Sequence, residues 1–341
     1  MTWSPAPRFL VYYYVKTFQH AFKSGHVLAI DADNSKGDSP TRTPSAGETV
    51  VKLREGDGPP LIILHGEAGT INTFSPLKKS FSSALWAIQV TTGTPLHTLH
   101  AQCRFYFDKI KVEQPTGPYR ICGFSGSSIL AVALVQLFEN NGDIVVQLSF
   151  IDHFPTIFLA PGLGVDIFKT PLCHPTARQE MIAVNVENLF ALTYRDGREN
   201  LPQRHKLANE LRMAYNDRPS SATADSIRIA YNRFLNQIFD FLLKLKDDAQ
   251  ARGQDGQEMG FLEDWLKLVK APVTAYLAMN GLLGCLVLEN HRSEEWYDLG
   301  IHRCFPNAKV EILDAGHFDI LKNHSLIRGL QDDYILSRAR L

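Results

Sequence analysis

Tyr119-Arg120-Ile121-Cys122-Gly123-Phe124-Ser125-Gly126-Ser127-Ser128 decides how the rest of the chain is read. Tyr119 to Cys122 has the aromatic and branched character of a short strand. The residues around Ser125 are small apart from Phe124, and a helical apolar pattern starts at once over Ser127 to Glu139, closed by Asn140-Asn141-Gly142. A serine at the apex of such a strand-to-helix turn has its hydroxyl lifted clear of the backbone, within reach of a reacting atom. The turn leaves little room two residues to either side. Gly123 satisfies that need before the serine. Ser127, which carries a Cβ, stands after it where glycine is usual, so some strain is expected there.

Outward from this unit, strands and helices alternate. Thr49 to Leu53, Leu61 to Leu64, Leu85 to Val90, Val145 to Ile151, Val273 to Met279 and Lys309 to Leu313 read as strands, and His97 to Val112 and Leu326 to Leu336 as helices. Leu61-Ile62-Ile63-Leu64 is apolar throughout, as befits a strand covered on both faces. The alternation predicts an α/β fold, a mostly parallel sheet with helices on both faces. Over 155–270 the strand signal disappears. There a helix over Asp225 to Leu245 carries Ile229, Phe234, Ile238, Phe241, Leu242 and Leu245 at helical spacing, a stripe expected to pack within the insertion rather than on a partner. Residues 31–47 have linker composition. The expected organisation is an N-terminal extension and linker over 1–47, a core over 48–154 plus 271–341, and a helical lid insertion over 155–270.

A serine hydroxyl is a poor nucleophile at neutral pH. It needs a base beside it, and the base needs an anion that fixes its tautomer. The chain order serine, acid, histidine of the α/β-hydrolase fold is filled by Ser125, Asp152 and His317, each at the end of an expected strand. Such ends converge at one edge of a parallel sheet. Ser127 and Ser128 are rival nucleophiles, though neither sits at the apex. His65 is the rival base, expected instead to be structural. Glu289, Asp298 and Asp314 are rival acids. The developing oxyanion needs two backbone donors: the N–H of Gly126, and that of Glu67 or Ala68 in the loop His65-Gly66-Glu67-Ala68-Gly69-Thr70.

Composition narrows the function further. With 35 basic and 36 acidic residues the formal net charge is -1, which draws the chain toward neither nucleic acid nor anionic membrane. Its cysteines, at 103, 122, 173, 285 and 304, include no Cys-x-x-Cys pair, so each is read as a small buried hydrophobe in a reducing compartment. The apolar run Phe9 to Val15 is closed by Lys16 and no small-residue cleavage site follows it; no window reaches the length of a membrane span. A soluble, cytoplasmic enzyme without metal or cofactor is expected.

Three stretches resemble the thioesterase domains that end fatty acid synthases, polyketide synthases and nonribosomal peptide synthetases. Pro60 to Thr70 is similar to that family's first core strand and oxyanion loop. Gln114-Pro115-Thr116-Gly117-Pro118-Tyr119-Arg120-Ile121-Cys122-Gly123-Phe124-Ser125 is similar to its Gln-Pro-x-Gly-Pro-Tyr-x-x-x-Gly-Tyr-Ser, and Asp314-Ala315-Gly316-His317 to its histidine loop. The likeness runs over residues 48–155 and 271–325. It implies Asp152 as the acid, since the family takes its acid from the strand after the elbow helix. It also implies an acyl chain taken from the phosphopantetheine thiol of a carrier protein, or from coenzyme A, and released by water or by an internal nucleophile under a helical lid. In two places the chain departs from the family: Ser127 replaces the second elbow glycine, and glycine follows His65 where proline is common. No carrier attachment motif is read in residues 1–58, because Pro40 after Ser39 opposes the helix start such a serine needs. A carrier is therefore expected in trans or from an upstream module. A general carboxylesterase or lipase, and an inactive hydrolase fold serving as a binding protein, are the alternative readings.

Overall fold

The computed structural model describes residues 47–160, 173–195, 201–216, 218–253, 259–284 and 297–338. The readings placed on residues 1–46, Cys285 and Glu289 lie outside these described residues.

Seven strands form one sheet: β1 Val50–Arg54, β2 Leu61–Leu64, β3 Leu85–Ile88, β4 Tyr119–Phe124, β5 Val145–Ile151, β6 Val273–Ala278 and β7 Lys309–Leu313. Their order is β1-β3-β2-β4-β5-β6-β7. β1 runs antiparallel to β3, and every other pairing is parallel. Around the sheet lie α1 Ser75–Ser80, α2 Leu99–Glu113 and α3 Ser128–Asn140. The insertion contributes α4 Pro175–Arg195, α5 Leu201–Tyr215, α6 Ala222–Ala251 and α7 Gly260–Leu266. α8 Ile301–Cys304 and α9 His324–Arg338 follow. This is the α/β-hydrolase arrangement, a mostly parallel sheet with helices on both faces.

The continuous apolar strands follow from burial on both sides. In β2, Ile62 and Leu64 join one core and Leu61 and Ile63 the other, as the two-residue repeat of a strand requires. All four are fully buried. Tyr106 and Ile110 of α2 and Val132 and Val135 of α3 cover the first face, and Leu77 of α1 and Leu326 and Leu330 of α9 cover the second. Each such side chain contributes about 1.5–3 kcal/mol on leaving water. Thr98 begins α2 by accepting a hydrogen bond from Ala101 N at 3.1 Å. The short helices α1 and α8 were not read from sequence, because one or two turns carry too few apolar repeats to betray a period.

Connectivity places the site. The chain passes from β2 to β3 on one flank of β2 and returns to lay down β4 on its other flank. The crevice outside the carboxyl ends at such a reversal is where open α/β sheets bind ligands. The register pairs Leu64 with Gly123, Phe124 with Ile151 and Ala278 with Leu313, so the loops after β2, β4, β5 and β7 leave the same edge at one level.

Within 155–270 no strand occurs among the described residues. Ser221 caps α6 by accepting from Ala224 N at 3.2 Å. Phe234, Ile238 and Leu242 of its stripe are buried in the core, as expected, whereas Ile229 is 49% exposed. The stripe therefore packs over its middle and opens at its N-terminal end. Cys103, Cys122 and Cys304 are buried thiols, but Cys173 is exposed, against the reading of every cysteine as a buried hydrophobe. It lies two residues before the start of α4.

Candidate active site

The elbow forms where the small residues predicted it. Ser125 has φ 55, a left-handed conformation that costs energy in any residue but glycine and that tips the side chain away from the strand. Gly123 is obligatory: a Cβ there would lie 2.8 Å from the Ser128 Cα and 3.0 Å from the Ala131 Cβ. Ser127 corrects the expectation of strain. Its φ is -68, an ordinary helical value, so it has no need of glycine. Its hydroxyl donates to Phe124 O at 2.8 Å and accepts from Phe124 N at 3.1 Å, tying the turn together.

The three residues expected to work together are brought into one chain of contacts. Ser125 Oγ lies 2.8 Å from His317 Nε2. His317 Nδ1 lies 2.7 Å from Asp152 Oδ2. With its Nδ1–H facing the carboxylate, the ring presents a bare Nε2 lone pair to the hydroxyl. Asp152 is fully buried, and it accepts further bonds from Ala278 N at 2.8 Å and Leu282 N at 3.3 Å. Gly281 leaves it room, since a Cβ at 281 would stand 2.0 Å from Oδ2. The Phe124 ring stacks on His317 at 5.3 Å between centroids, fixing the imidazole plane.

The rivals among the described residues have partners of their own. Ser128 is fully buried, with its Oγ 2.8 Å from His153 Nδ1. Asp298 accepts from Gly300 N and His302 N, both at 2.9 Å, and Asp314 accepts from Asn280 Nδ2 at 3.4 Å. Burial lowers the His65 pKa from 6.5 to about 4, keeping it neutral. Its Nδ1–H then donates to Gly66 O at 2.6 Å, and its bare Nε2 accepts the Tyr106 hydroxyl at 2.7 Å. It is a structural residue of the loop, as read.

Glu67 was expected to offer only its backbone. Neither the Glu67 nor the Ala68 N–H has a hydrogen-bond partner among the described residues. The Glu67 side chain adds something sequence reasoning missed: Oε1 accepts from Gly126 N at 2.6 Å and from Ser125 Oγ at 2.8 Å. A carboxylate thus holds the N–H that an oxyanion would use, and it competes with His317 for the single hydroxyl proton. His153 was also missed, although it directly follows Asp152. Its pKa is lowered to about 3, first by burial and then by the nearby His317.

Among the described residues, no helix is long and apolar enough to cross a membrane, and no group of three or more His, Cys, Asp or Glu is placed to hold a metal.

Comparison with known proteins gives the family. A highly reducing polyketide synthase of Strobilurus tenacellus, stpks1, is 35% identical over 300 residues, covering 85% of this chain and 10% of that protein. The nonribosomal peptide synthetase pngA of Aspergillus terreus is 32% identical over 113 residues, covering 32% of this chain and 12% of that protein. The chain thus spans about a tenth of the length of these relatives. The crystal structure of a single-residue variant of aCif aligns with TM-score 0.50 at 15% identity, over 82% of this chain and 83% of that one, a likeness of fold alone. The thioesterase domain model matches residues 59–334. By that match, the chain belongs to the thioesterase domain family.

Proposed function

We propose that this chain is a serine thioesterase that takes acyl chains, polyketide, fatty acyl or peptidyl, from the phosphopantetheine thiol of a carrier protein or from coenzyme A. The observation that carries the proposal is Ser125 at φ 55 with its hydroxyl 2.8 Å from His317 Nε2, whose Nδ1 faces buried Asp152 at 2.7 Å. In this reading Ser125 Oγ attacks the thioester carbonyl as its proton passes to His317 Nε2. Asp152 holds the resulting imidazolium without taking its proton. The Gly126 N–H, with that of Glu67 or Ala68, receives the oxyanion once the Glu67 carboxylate turns aside. The C–S bond breaks, and the thiol departs with the proton from His317. Water, or a hydroxyl or amine of the chain itself, then attacks the Ser125 ester through the same base, and Ser125 regains its proton. Residues 155–270 serve as the lid over the acyl site, and 48–154 with 271–341 as the core.

A fluorophosphonate probe and a carrier protein loaded with a model acyl chain test the proposal together. The wild type is labelled and releases acid or lactone seen by mass spectrometry, while Ser125→Ala does neither and keeps its fold. Turnover of simple oxygen esters with none of the thioesters would assign the site to a carboxylesterase. Equal labelling of Ser125→Ala would remove the serine from the chemistry.

A further inference from the structure

A cavity of about 240 Å³ lies between the loop after β2, α2 and α6. The Glu67 carboxylate that bonds Ser125 forms part of its wall. Arg233 and Ile229, both exposed, stand at its mouth; His65, Gln102 and Gln237 are 1%, 1% and 4% exposed and form its floor. The volume accommodates several water-sized groups.

The floor holds two buried amide atoms without hydrogen-bond partners, Gln102 Oε1 and Gln237 Nε2. Such atoms are rare in native interiors and costly to leave unmet. The orientation of Gln102 follows from its neighbours. Neutral His65 donates its Nδ1–H to Gly66 O, so its Nε2 accepts a hydrogen bond from the Tyr106 hydroxyl. The Tyr106 oxygen can then only accept, and Gln102 Nε2 donates to it at 2.8 Å. Gln102 Oε1 is thereby left unbonded as an acceptor. Gln237 faces it from the other helix with an amide that no hydrogen bond holds, so its Nε2 can turn to donate. Both residues sit within apolar stripes: Gln102 on the face of Leu99, Cys103 and Tyr106, and Gln237 beside Phe234 and Ile238. A polar group in such a position requires a partner.

One acceptor and one donor on an otherwise closed floor match a group that both gives and takes a hydrogen bond. A hydroxyl does so; a carbonyl or ether would leave Gln102 unmet. We infer that this cavity is a subsite reading a hydroxyl on the acyl chain, donating to Gln102 Oε1 and accepting from Gln237 Nε2. The inference rests on the acyl-transfer reading of Ser125, and it names the substrate class as hydroxylated rather than fully reduced chains.

Calorimetry with Ser125→Ala protein tests it, using the N-acetylcysteamine thioesters of octanoate and of its monohydroxylated derivatives. At least one hydroxylated chain is expected to bind about 10-fold or more tightly than octanoyl. Gln237→Leu and Gln102→Leu, each added to Ser125→Ala, are each expected to erase that preference, so that octanoyl and its hydroxylated derivatives bind alike. Should one variant fail to fold, the other and the substrate pair still decide. Equal affinities for all the chains, as expected if water satisfies both amides, would overturn the inference. So would a preference that survives both substitutions, or no binding at all. A hydroxyl preference in binding without thioester turnover by the wild type would overturn the acyl-transfer reading alone.

Discussion

Replacing Glu67 with alanine tests how the resting site is held shut. The carboxylate accepts two bonds, at 2.6 Å from Gly126 N and at 2.8 Å from Ser125 Oγ. Hydrogen bonds to charged groups net about 1.5–3 kcal/mol each, so the pair is worth about 3–6 kcal/mol if fully sheltered. Glu67 is only half-buried and regains water as it turns away. A discount of about half or more leaves about 2 kcal/mol to be overcome before a carbonyl oxygen can approach Gly126 N. At about 1.4 kcal/mol per tenfold in rate, Glu67→Ala should react with a fluorophosphonate about 10- to 30-fold faster than the wild type. The substitution keeps the backbone N–H that the oxyanion requires. Glu67→Gln retains a neutral acceptor and should fall between the two. The assay is the second-order labelling constant measured by quenched gel fluorescence. A Glu67→Ala constant equal to or below that of the wild type would refute the reasoning.

Three further outcomes follow from the same geometry. Gly281→Ala forces a Cβ to within 2.0 Å of Asp152 Oδ2, so the carboxylate must leave His317; kcat should drop about 100-fold with KM nearly constant, and an unchanged kcat would show that Asp152 does not need its present place. Gly123→Ala sets a Cβ 2.8 Å from the Ser128 Cα, and overpacking there should lower unfolding free energy by about 1–3 kcal/mol, read as a lower urea midpoint; an unshifted midpoint would contradict the close approach. His153 has its pKa lowered from 6.5 to about 3, so below 6.5 the unfolded chain takes up a proton that the folded form refuses. Stability should therefore fall with pH across that window, by about 3 kcal/mol at about pH 4 from this residue. The acid-side slope should be shallower in His153→Asn, and parallel curves for the two proteins would count against the assignment.

Much of the site was legible because its signals are local. The elbow is a run of adjacent residues whose sizes set the turn, and Gly123 is legible because only a missing Cβ fits against the next helix. Ser127 was misjudged because a Cβ was counted as an obstacle, whereas its φ of -68 needs no glycine and its hydroxyl ties the turn. The boundaries of β2 and β5 were read correctly: β2 is an uninterrupted apolar run, and β5 stops at Asp152, whose φ of 47 takes the chain out of the strand. Gln102 and Gln237 carried a visible signal, polar residues within apolar helical stripes, though nothing in the sequence says that the two stripes meet across one cavity.

By itself the sequence determined the alternation of strands and helices, the turn that presents Ser125, and the chain order that nominated Asp152 and His317. These depend on residue size, apolar period and position along the chain. Only the tertiary structure decided that β4, β5 and β7 deliver those three side chains to one edge within hydrogen-bond reach. It also decided that the Glu67 side chain, 59 positions before Gly126, lies on that residue's N–H. Such contacts depend on register and crossover geometry, through which long-range packing joins residues that no local pattern connects.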